Sequence, residues 1–275
     1  MKAIYLIITL FIVHSIHAQV LRQPISTAYT GLGAYSKNFV DVYSATSNQA
    51  SLAQLKSGAF GVYGERRFML EDLSGFSGIV AMPFSSGTIG LQADYFGSSK
   101  AFNESQIGLM YARKLTEQVD VGVKFNYHSM RVPGYQSASA INFEAGTILH
   151  LTDRLHTGIH VYNPFSSKIG KTGDEKLASI YRFGLGYEAS DNVFICTEIV
   201  KQEDQQLSVN AGLQYNIHSR LFLRTGISTS TNNSYVGLGL QLGVGRVDIN
   251  TGYHPQLGFT PGILLLINFK KAAKV

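Results

Sequence analysis

The sequence predicts an all-β protein, a transmembrane antiparallel β-barrel of about 14 strands with an N-terminal plug segment. Three observations support this fold class. Stretches of roughly ten residues alternate apolar and polar side chains through most of the chain. The connections between these stretches are alternately short and longer. The chain also starts with a segment typical of an export signal.

The alternation is clearest between Val119 and Tyr127. Every second residue of this stretch is valine, phenylalanine or tyrosine. The residues between them are Asp120, Gly122, Lys124 and Asn126. Successive side chains of a strand point to opposite faces of a sheet, so this strand has one apolar and one polar face. Repeated along the chain, the pattern indicates a barrel with its apolar face towards lipid.

The same pattern places about fourteen strands in the chain. An even number returns both chain ends to the periplasmic side, as in bacterial single-chain barrels. In hydrocarbon every backbone N–H and C=O group needs a partner, so the sheet must close on itself. The predicted strands are residues 58–68, 75–84, 87–97, 104–115, 118–130, 140–151, 154–163, 177–189, 192–201, 206–217, 220–229, 234–243, 246–254 and 261–270.

The connections between these strands alternate strictly between two kinds. The tight ones, such as 84–87 and 190–192, are rich in glycine, serine, asparagine and aspartate, which suit hairpin turns. The other set tends to be longer and includes 131–139 and 164–176. This order is expected of an outer-membrane barrel with short periplasmic turns and longer outer loops.

The N-terminus resembles a cleaved signal peptide. A lysine at position 2 precedes an apolar run that ends near Val13, and small residues follow up to Ala18, where we expect cleavage before Gln19. The predicted organisation is a signal peptide at 1–18, a plug segment at 19–57, the barrel at 58–270 and a periplasmic tail at 271–275. We therefore expect the protein in a bacterial outer membrane.

Composition narrows the function classes. Charged residues make up 15% of the chain, beside 15 Tyr, 16 Phe and 28 Gly, which suits a lipid-embedded barrel better than a soluble enzyme. The net charge is +5, but the basic residues are dispersed, so nucleic acid is not an expected partner. The single Cys196 excludes an internal disulfide.

No catalytic motif stands out, and we expect neither enzymatic activity nor a cofactor. A surface hydrolase that uses a Ser–His pair on the barrel wall is the remaining catalytic alternative. His156 and His160 share one strand face, but their spacing along a strand is too long for easy chelation. Because a metal site needs three or four converging ligands, the sequence predicts none.

Ionisable residues of both signs fall on the predicted inward face. The main interpretation is a network of ion pairs that fills the lumen and holds the plug segment. The alternative is a polar path or gate for a solute. The predicted lumen-facing residues are Asp94, Lys124, His128, Glu144, His150, Arg182, Glu188, Glu198, Arg224 and Asp248.

Residues 28–53 resemble the N-terminal segment of FadL-like barrels, and most of all the PorV/PorQ branch associated with type IX secretion in Bacteroidetes. The match is a glycine-rich stretch, an acidic residue and then an Asn-x-Ala-x-Leu run. It departs from the branch at Gln49, where proline is usual, and at Ser51, where glycine is usual. The residues that carry the motif are Gly31, Gly33, Ala34, Asp41, Asn48, Ala50 and Leu52.

This resemblance implies a fourteen-strand barrel with an N-terminal hatch. One branch of the family moves hydrophobic molecules inward, and another receives secreted proteins at the outer membrane. The expected function is thus a PorV/PorQ-like role in protein secretion or surface attachment, and the alternative is a FadL-like passive transporter. Expected partners are outer-membrane lipid and either secretion-system proteins with their cargo or a hydrophobic small molecule.

Overall fold

The computed structural model describes residue 29 and residues 31–100, 102–134, 137–169, 175–203, 205–230 and 233–269. The predicted signal peptide 1–18 and the predicted tail 271–275 lie outside these ranges. Both therefore stay predictions.

The described ranges contain sixteen strands. Fourteen of them form one closed antiparallel barrel, while β8 and β9 pair with each other inside the longest connection. The fold class predicted from the alternation is thus confirmed, with every predicted strand present within a few residues. The strands are β1 Ala59–Arg66, β2 Ser74–Phe84, β3 Gly87–Gly97, β4 Asn103–Lys114, β5 Val119–Arg131, β6 Ala138–His150, β7 Leu155–Tyr162, β8 Lys168–Ile169, β9 Glu175–Lys176, β10 Ile180–Ser190, β11 Val193–Gln202, β12 Ser208–His218, β13 Leu221–Ser228, β14 Asn233–Leu242, β15 Gly245–His254 and β16 Gly258–Asn268.

The barrel closes between its first and last strands. Each barrel strand pairs with its neighbour in sequence, except that β7 pairs with β10 across the β8–β9 hairpin. Closure pairs Ala59 on β1 with Asn268 on β16, and the ladder continues to Glu65 opposite Gly262. A closed sheet has no free edge, so its backbone groups are satisfied within hydrocarbon.

The two faces of the wall differ as the alternation predicts. On β5, Asp120 and Lys124 are buried inside the barrel, whereas Phe125 is 62% exposed on the outside. Aliphatic and aromatic side chains cover the outer face of the other strands in the same way. Such a belt is stable against lipid and unfavourable in water, so the barrel is of the outer-membrane type. Within the described ranges no helix is long and apolar enough to span a membrane.

The N-terminal segment, residues 31–57, lies inside the barrel. It is built from three short 3₁₀ helices, Leu32–Tyr35, Val42–Thr46 and Gln49–Gln54. The side chain of Asp41 caps the second helix by accepting from the backbone N–H groups of Tyr43 and Ser44, and Asn48 caps the third. That this segment occludes the lumen as a plug remains a prediction.

Glycines on the inner wall make room for this segment. A Cβ atom at Gly186 would collide with the backbone carbonyl oxygen of Tyr35. At Gly146 it would collide with the side-chain amide of Asn48. Any larger residue at these two positions would therefore displace the N-terminal segment or the strand.

Two outer connections differ from the sequence prediction. The loop expected at 255–260 is a short turn, because the His254 ring nitrogen Nδ1 accepts from the backbone N–H groups of Gln256 and Leu257, both at 3.1 Å. Gly258 then begins β16 with a φ of 88°. In the first outer connection, expected as a loop between the strands 58–68 and 75–84, the chain forms two short 3₁₀ helices, Arg67–Met69 and Glu71–Leu73.

Candidate functional site in the barrel interior

The inner wall that surrounds the N-terminal segment has two chemically different sides. We define the apolar side as the buried hydrophobic residues of β1, β2, β4 and β16, and the charged side as the buried ionisable residues of β5–β7 and β10–β15. Val42, Tyr43, Ala45 and Leu52 of the segment pack on the apolar side. The residues of the apolar side are Ala59, Tyr63, Ile79, Ala81, Met110, Ala112, Leu264 and Leu266.

Asp41 is the main charge that the segment presents to the charged side. Its Oδ2 atom accepts from Arg246 Nη2 at 2.7 Å and from Arg224 Nη2 at 3.2 Å. Arg246 Nε also lies 3.0 Å from Asp248 Oδ1. Burial by itself opposes ionisation of Asp41, but the two guanidinium groups outweigh it and hold the pKa of this carboxyl below its usual range.

Arg224 is fixed from several directions and is 1% exposed. Its Nε atom donates to Gln214 Oε1 at 2.8 Å on the neighbouring strand. Its guanidinium carbon lies 5.4 Å from the ring centre of Tyr29 and 5.1 Å from that of Phe222. The aromatic faces and the carboxylate together orient the guanidinium towards the segment.

Four buried side chains on neighbouring strands form a second cluster, which we call the histidine chain. It runs from Asp120 on β5 through His150 on β6 and His156 on β7 to Glu188 on β10. His150 Nε2 lies 2.8 Å from Asp120 Oδ2, and His150 Nδ1 lies 2.9 Å from His156 Nδ1. His156 Nε2 lies 3.2 Å from Glu188 Oε1.

Both ends of the histidine chain are bonded to the N-terminal segment. At one end Gln54 Nε2 donates to Asp120 Oδ2 at 2.7 Å. At the other end the hydroxyl of Ser36 donates to Glu188 Oε1 at 2.6 Å, and Asn38 Nδ2 donates to Glu188 Oε2 at 2.6 Å. The cluster therefore holds the segment at two distant points of its sequence.

The two rings of the histidine chain meet through nitrogens of the same kind. One Nδ1 atom donates in this contact and the other accepts. The Nε2 atom of His150 also lies 3.0 Å from the Gln54 side-chain nitrogen, so the amide of the segment contacts both the histidine and its carboxylate partner.

Two further groups of ionic contacts line the wall, one around Glu144 and one around Glu198. Glu144 contacts His160 Nε2 at 2.9 Å and Lys124 Nζ at 3.4 Å, so this group joins β5, β6 and β7. Glu198 accepts from the hydroxyl of Tyr35 at 2.9 Å and lies 3.7 Å from Arg182 Nη1. The Tyr35 contact adds a fourth anchor between the segment and the charged side, after those of Asp41, Gln54 and the Ser36–Asn38 pair.

The structure brings most of the predicted lumen-facing residues into these clusters. Lys124, Glu144, Arg182, Glu188, Arg224 and Asp248 are all buried inside the barrel. Asp94 instead bonds to Ser77 and Gln92 on the apolar half of the wall, and His128 contacts Tyr162. The predicted set of lumen-facing residues does not include Asp120, His156 or Arg246, although strand alternation places each of them on the inward face. Asp120 is assigned there to the polar face of its strand, and His156 is considered only as half of a metal pair.

The residues of the predicted plug motif occupy defined positions. Ala34, Ala50 and Leu52 are buried. Asn48 Nδ2 donates to the backbone oxygens of Thr147 at 3.3 Å and Ile159 at 3.2 Å. Gly31 precedes the first 3₁₀ helix, and a Cβ atom at Gly33 would collide with the Phe39 carbonyl. Among the described residues, no cluster of three or more His, Cys, Asp or Glu could hold a metal ion.

Comparison with known proteins gives the fold a context. No protein-family model matches the chain, and no curated protein matches its sequence. The chain is similar to the P. putida toluene transporter TodX, with a TM-score of 0.65 and 10% identity over 89% of this chain and 99% of that chain. It is also similar to the CymD monoaromatic hydrocarbon channel, with a TM-score of 0.64 and 13% identity over 90% of this chain and 97% of that chain.

A third solved structure, a Pseudomonas aeruginosa FadL homologue, aligns with a TM-score of 0.58 and 10% identity over 89% of this chain and 98% of that chain. At these identities the similarity establishes the fold. The solved structures that share this fold thus include a toluene transporter, a monoaromatic hydrocarbon channel and a FadL homologue.

Proposed function

We propose that this protein is a FadL-like passive channel for a hydrophobic small molecule, without enzymatic activity, and that the N-terminal segment is its hatch. The observation that carries the proposal is the combination of this fold with a lumen occupied by residues 31–57. TodX and CymD, which have this fold, are a toluene transporter and a monoaromatic hydrocarbon channel.

The contacts of the segment support a hatch rather than an open porin. A porin needs a water-filled lumen. Here the segment packs on the apolar side through Tyr43 and Leu52 and bonds to the charged side through Asp41 and Tyr35. A hatch of this kind excludes hydrophilic solutes, which fits a channel for a hydrophobic small molecule better than a porin.

The proposal can be tested by uptake of radiolabelled toluene into cells that lack their own hydrocarbon channel. Cells expressing the protein should take up toluene faster than cells with an empty vector. Uptake equal to that of the empty vector, at a normal amount of folded barrel in the outer membrane, would contradict the channel.

The hatch can be tested separately by ion conductance in planar bilayers. The wild type should conduct small ions weakly, and Asp41→Asn should raise the conductance because it weakens the bonds to Arg224 and Arg246. Asp94→Asn is the matched control, since Asp94 is an inward carboxylate bonded to strand residues rather than to the segment. Equal conductance of all three proteins would contradict the role of the segment as a hatch.

The PorV/PorQ-like role expected from residues 28–53 stays a prediction. The neighbours named above favour the transporter over this role. A pull-down from mild detergent separates the two, because a secretion component must retain a protein partner. Recovery of lipid without any protein would argue against secretion.

A further inference from the structure

A cleft of about 460 Å³ opens beside the tight β2–β3 turn, at the end of the barrel that carries the short turns. Its walls come from three places: the end of the N-terminal segment, the turn itself and the last residues of β4. The volume lies in the range of sites that hold small molecules, about 300–1,000 Å³.

The charge of this cleft has one sign. Lys56, Arg113 and Lys114 line it, and none of its described lining residues is acidic. All three cations are exposed, and none of them forms an ion pair with another described residue. Asp120, which lies opposite Lys114 in the strand register, is fully buried and bonded to Gln54 and His150. A cleft lined by one sign of charge concentrates ions of the other sign.

The walls of the cleft are held in place by contacts of their own. The hydroxyl of Tyr111 donates to the backbone oxygen of Ser86 at 2.6 Å and so ties the turn to β4. Gly87 has a φ of 147°, and a Cβ atom there would lie 2.6 Å from the Ala112 oxygen, so the turn lies directly against that strand. On the opposite wall Gln54 is anchored by Asp120.

We propose that this cleft binds a phosphate group carried by a larger molecule, either a lipid headgroup of the periplasmic leaflet or a soluble phosphate compound. Three cations exceed what one carboxylate would pair with, whereas a phosphate offers more charge and more acceptor oxygens. The cleft has room for more than the phosphate group alone. The three cations of the cleft lie outside the lumen contacts described above, so the proposal does not depend on the channel function.

The test compares two double variants of the full chain purified in a neutral detergent. Arg113→Gln/Lys114→Gln removes two charges from the cleft. Arg154→Gln/Arg220→Gln removes two exposed charges from other tight turns at the same end of the barrel. The heat-dependent shift of the folded barrel on an SDS gel verifies that both variants fold.

Two probes distinguish the sources of the phosphate. Calorimetric titration with inorganic phosphate reports the soluble form, and native mass spectrometry after incubation with phosphatidylglycerol or phosphatidylcholine reports the lipid form. We expect the cleft variant to bind at least one probe about tenfold more weakly than the wild type, with the control variant unchanged. No saturable binding of either probe to the wild type, or equal loss in both variants, would overturn the proposal.

Discussion

The apolar side and the charged side of the inner wall hold the N-terminal segment through different kinds of interaction. On the apolar side, Tyr43 and Leu52 pack against buried hydrophobic residues of four strands. On the charged side, Asp41 and Tyr35 meet arginine and glutamate side chains that are almost completely buried. The first kind of contact is non-directional, whereas the second requires each donor to face one acceptor.

The two kinds of contact therefore contribute differently: one mainly to how strongly the N-terminal segment is held, the other to the position at which it is held. Apolar packing stabilises the segment wherever its hydrophobic residues reach the wall, so it tolerates small displacements. A buried ion pair is favourable when its geometry is satisfied and strongly unfavourable when one partner is missing. We therefore interpret the charged side as the part of the wall that sets the position of the segment.

The largest effect is expected where a buried charge loses its partner. Arg224→Leu leaves Asp41 with one guanidinium and removes a charge from beside Asp248, so it should destabilise the barrel by about 3–5 kcal/mol. Urea unfolding in lipid vesicles measures this. Arg131→Gln, an exposed cation on β5, is the control and should shift the free energy by less than about 0.5 kcal/mol. Equal effects of the two would remove the distinction between the sides.

A cavity on the apolar side should cost somewhat less. Leu52 is fully buried, and Leu52→Ala should lower the free energy of unfolding by about 3 kcal/mol. Leu207→Ala, in an exposed connection, should have almost no effect. The same urea experiment measures both, and a cost for Leu52→Ala above that of Arg224→Leu would reverse the ranking of the two sides.

A matched pair of tyrosines sharpens the comparison. Tyr35 donates to the Glu198 carboxylate and Tyr43 donates to the backbone oxygen of Ser77, both at 2.9 Å. Bonds to a charged acceptor are roughly twice as strong, so Tyr35→Phe should cost about 2 kcal/mol and Tyr43→Phe about 1 kcal/mol. Equal losses in urea unfolding would show that the charge of the acceptor does not matter here.

The last prediction concerns the slope of stability against pH, which is the smallest of the expected changes and reports the ionisation of Asp41. Its pKa is lower in the folded protein than in the unfolded chain, so its stabilisation is complete above the unfolded pKa and is lost as the pH falls through the folded pKa. Asp41→Asn should therefore make stability less steeply dependent on pH in the acid range, by up to one proton. Leu52→Ala should shift the whole curve without changing its slope, and identical slopes for wild type and Asp41→Asn would refute this assignment.

Much of the fold could be read from the alternation alone. On β5 and β10 the spacing of apolar residues identifies the strand and its outward face, and gives its limits to within three residues, because the side-chain period of a strand is two. The β8–β9 hairpin was not predicted, because two-residue strands are too short to show a period. The short turn at His254 was not predicted either, because a side chain, rather than a glycine signal, closes the turn.

The sequence by itself determined which residues face lipid and which face the interior, since alternation is a local property that every strand carries. Tertiary structure decided which interior residues meet. Asp41 lies 183 residues from Arg224 and 205 from Arg246, and the His150–His156 contact depends on the register of β6 against β7. Closure of the barrel fixes these neighbours, because the stagger of each strand against the next is a property of the whole ring rather than of any one strand.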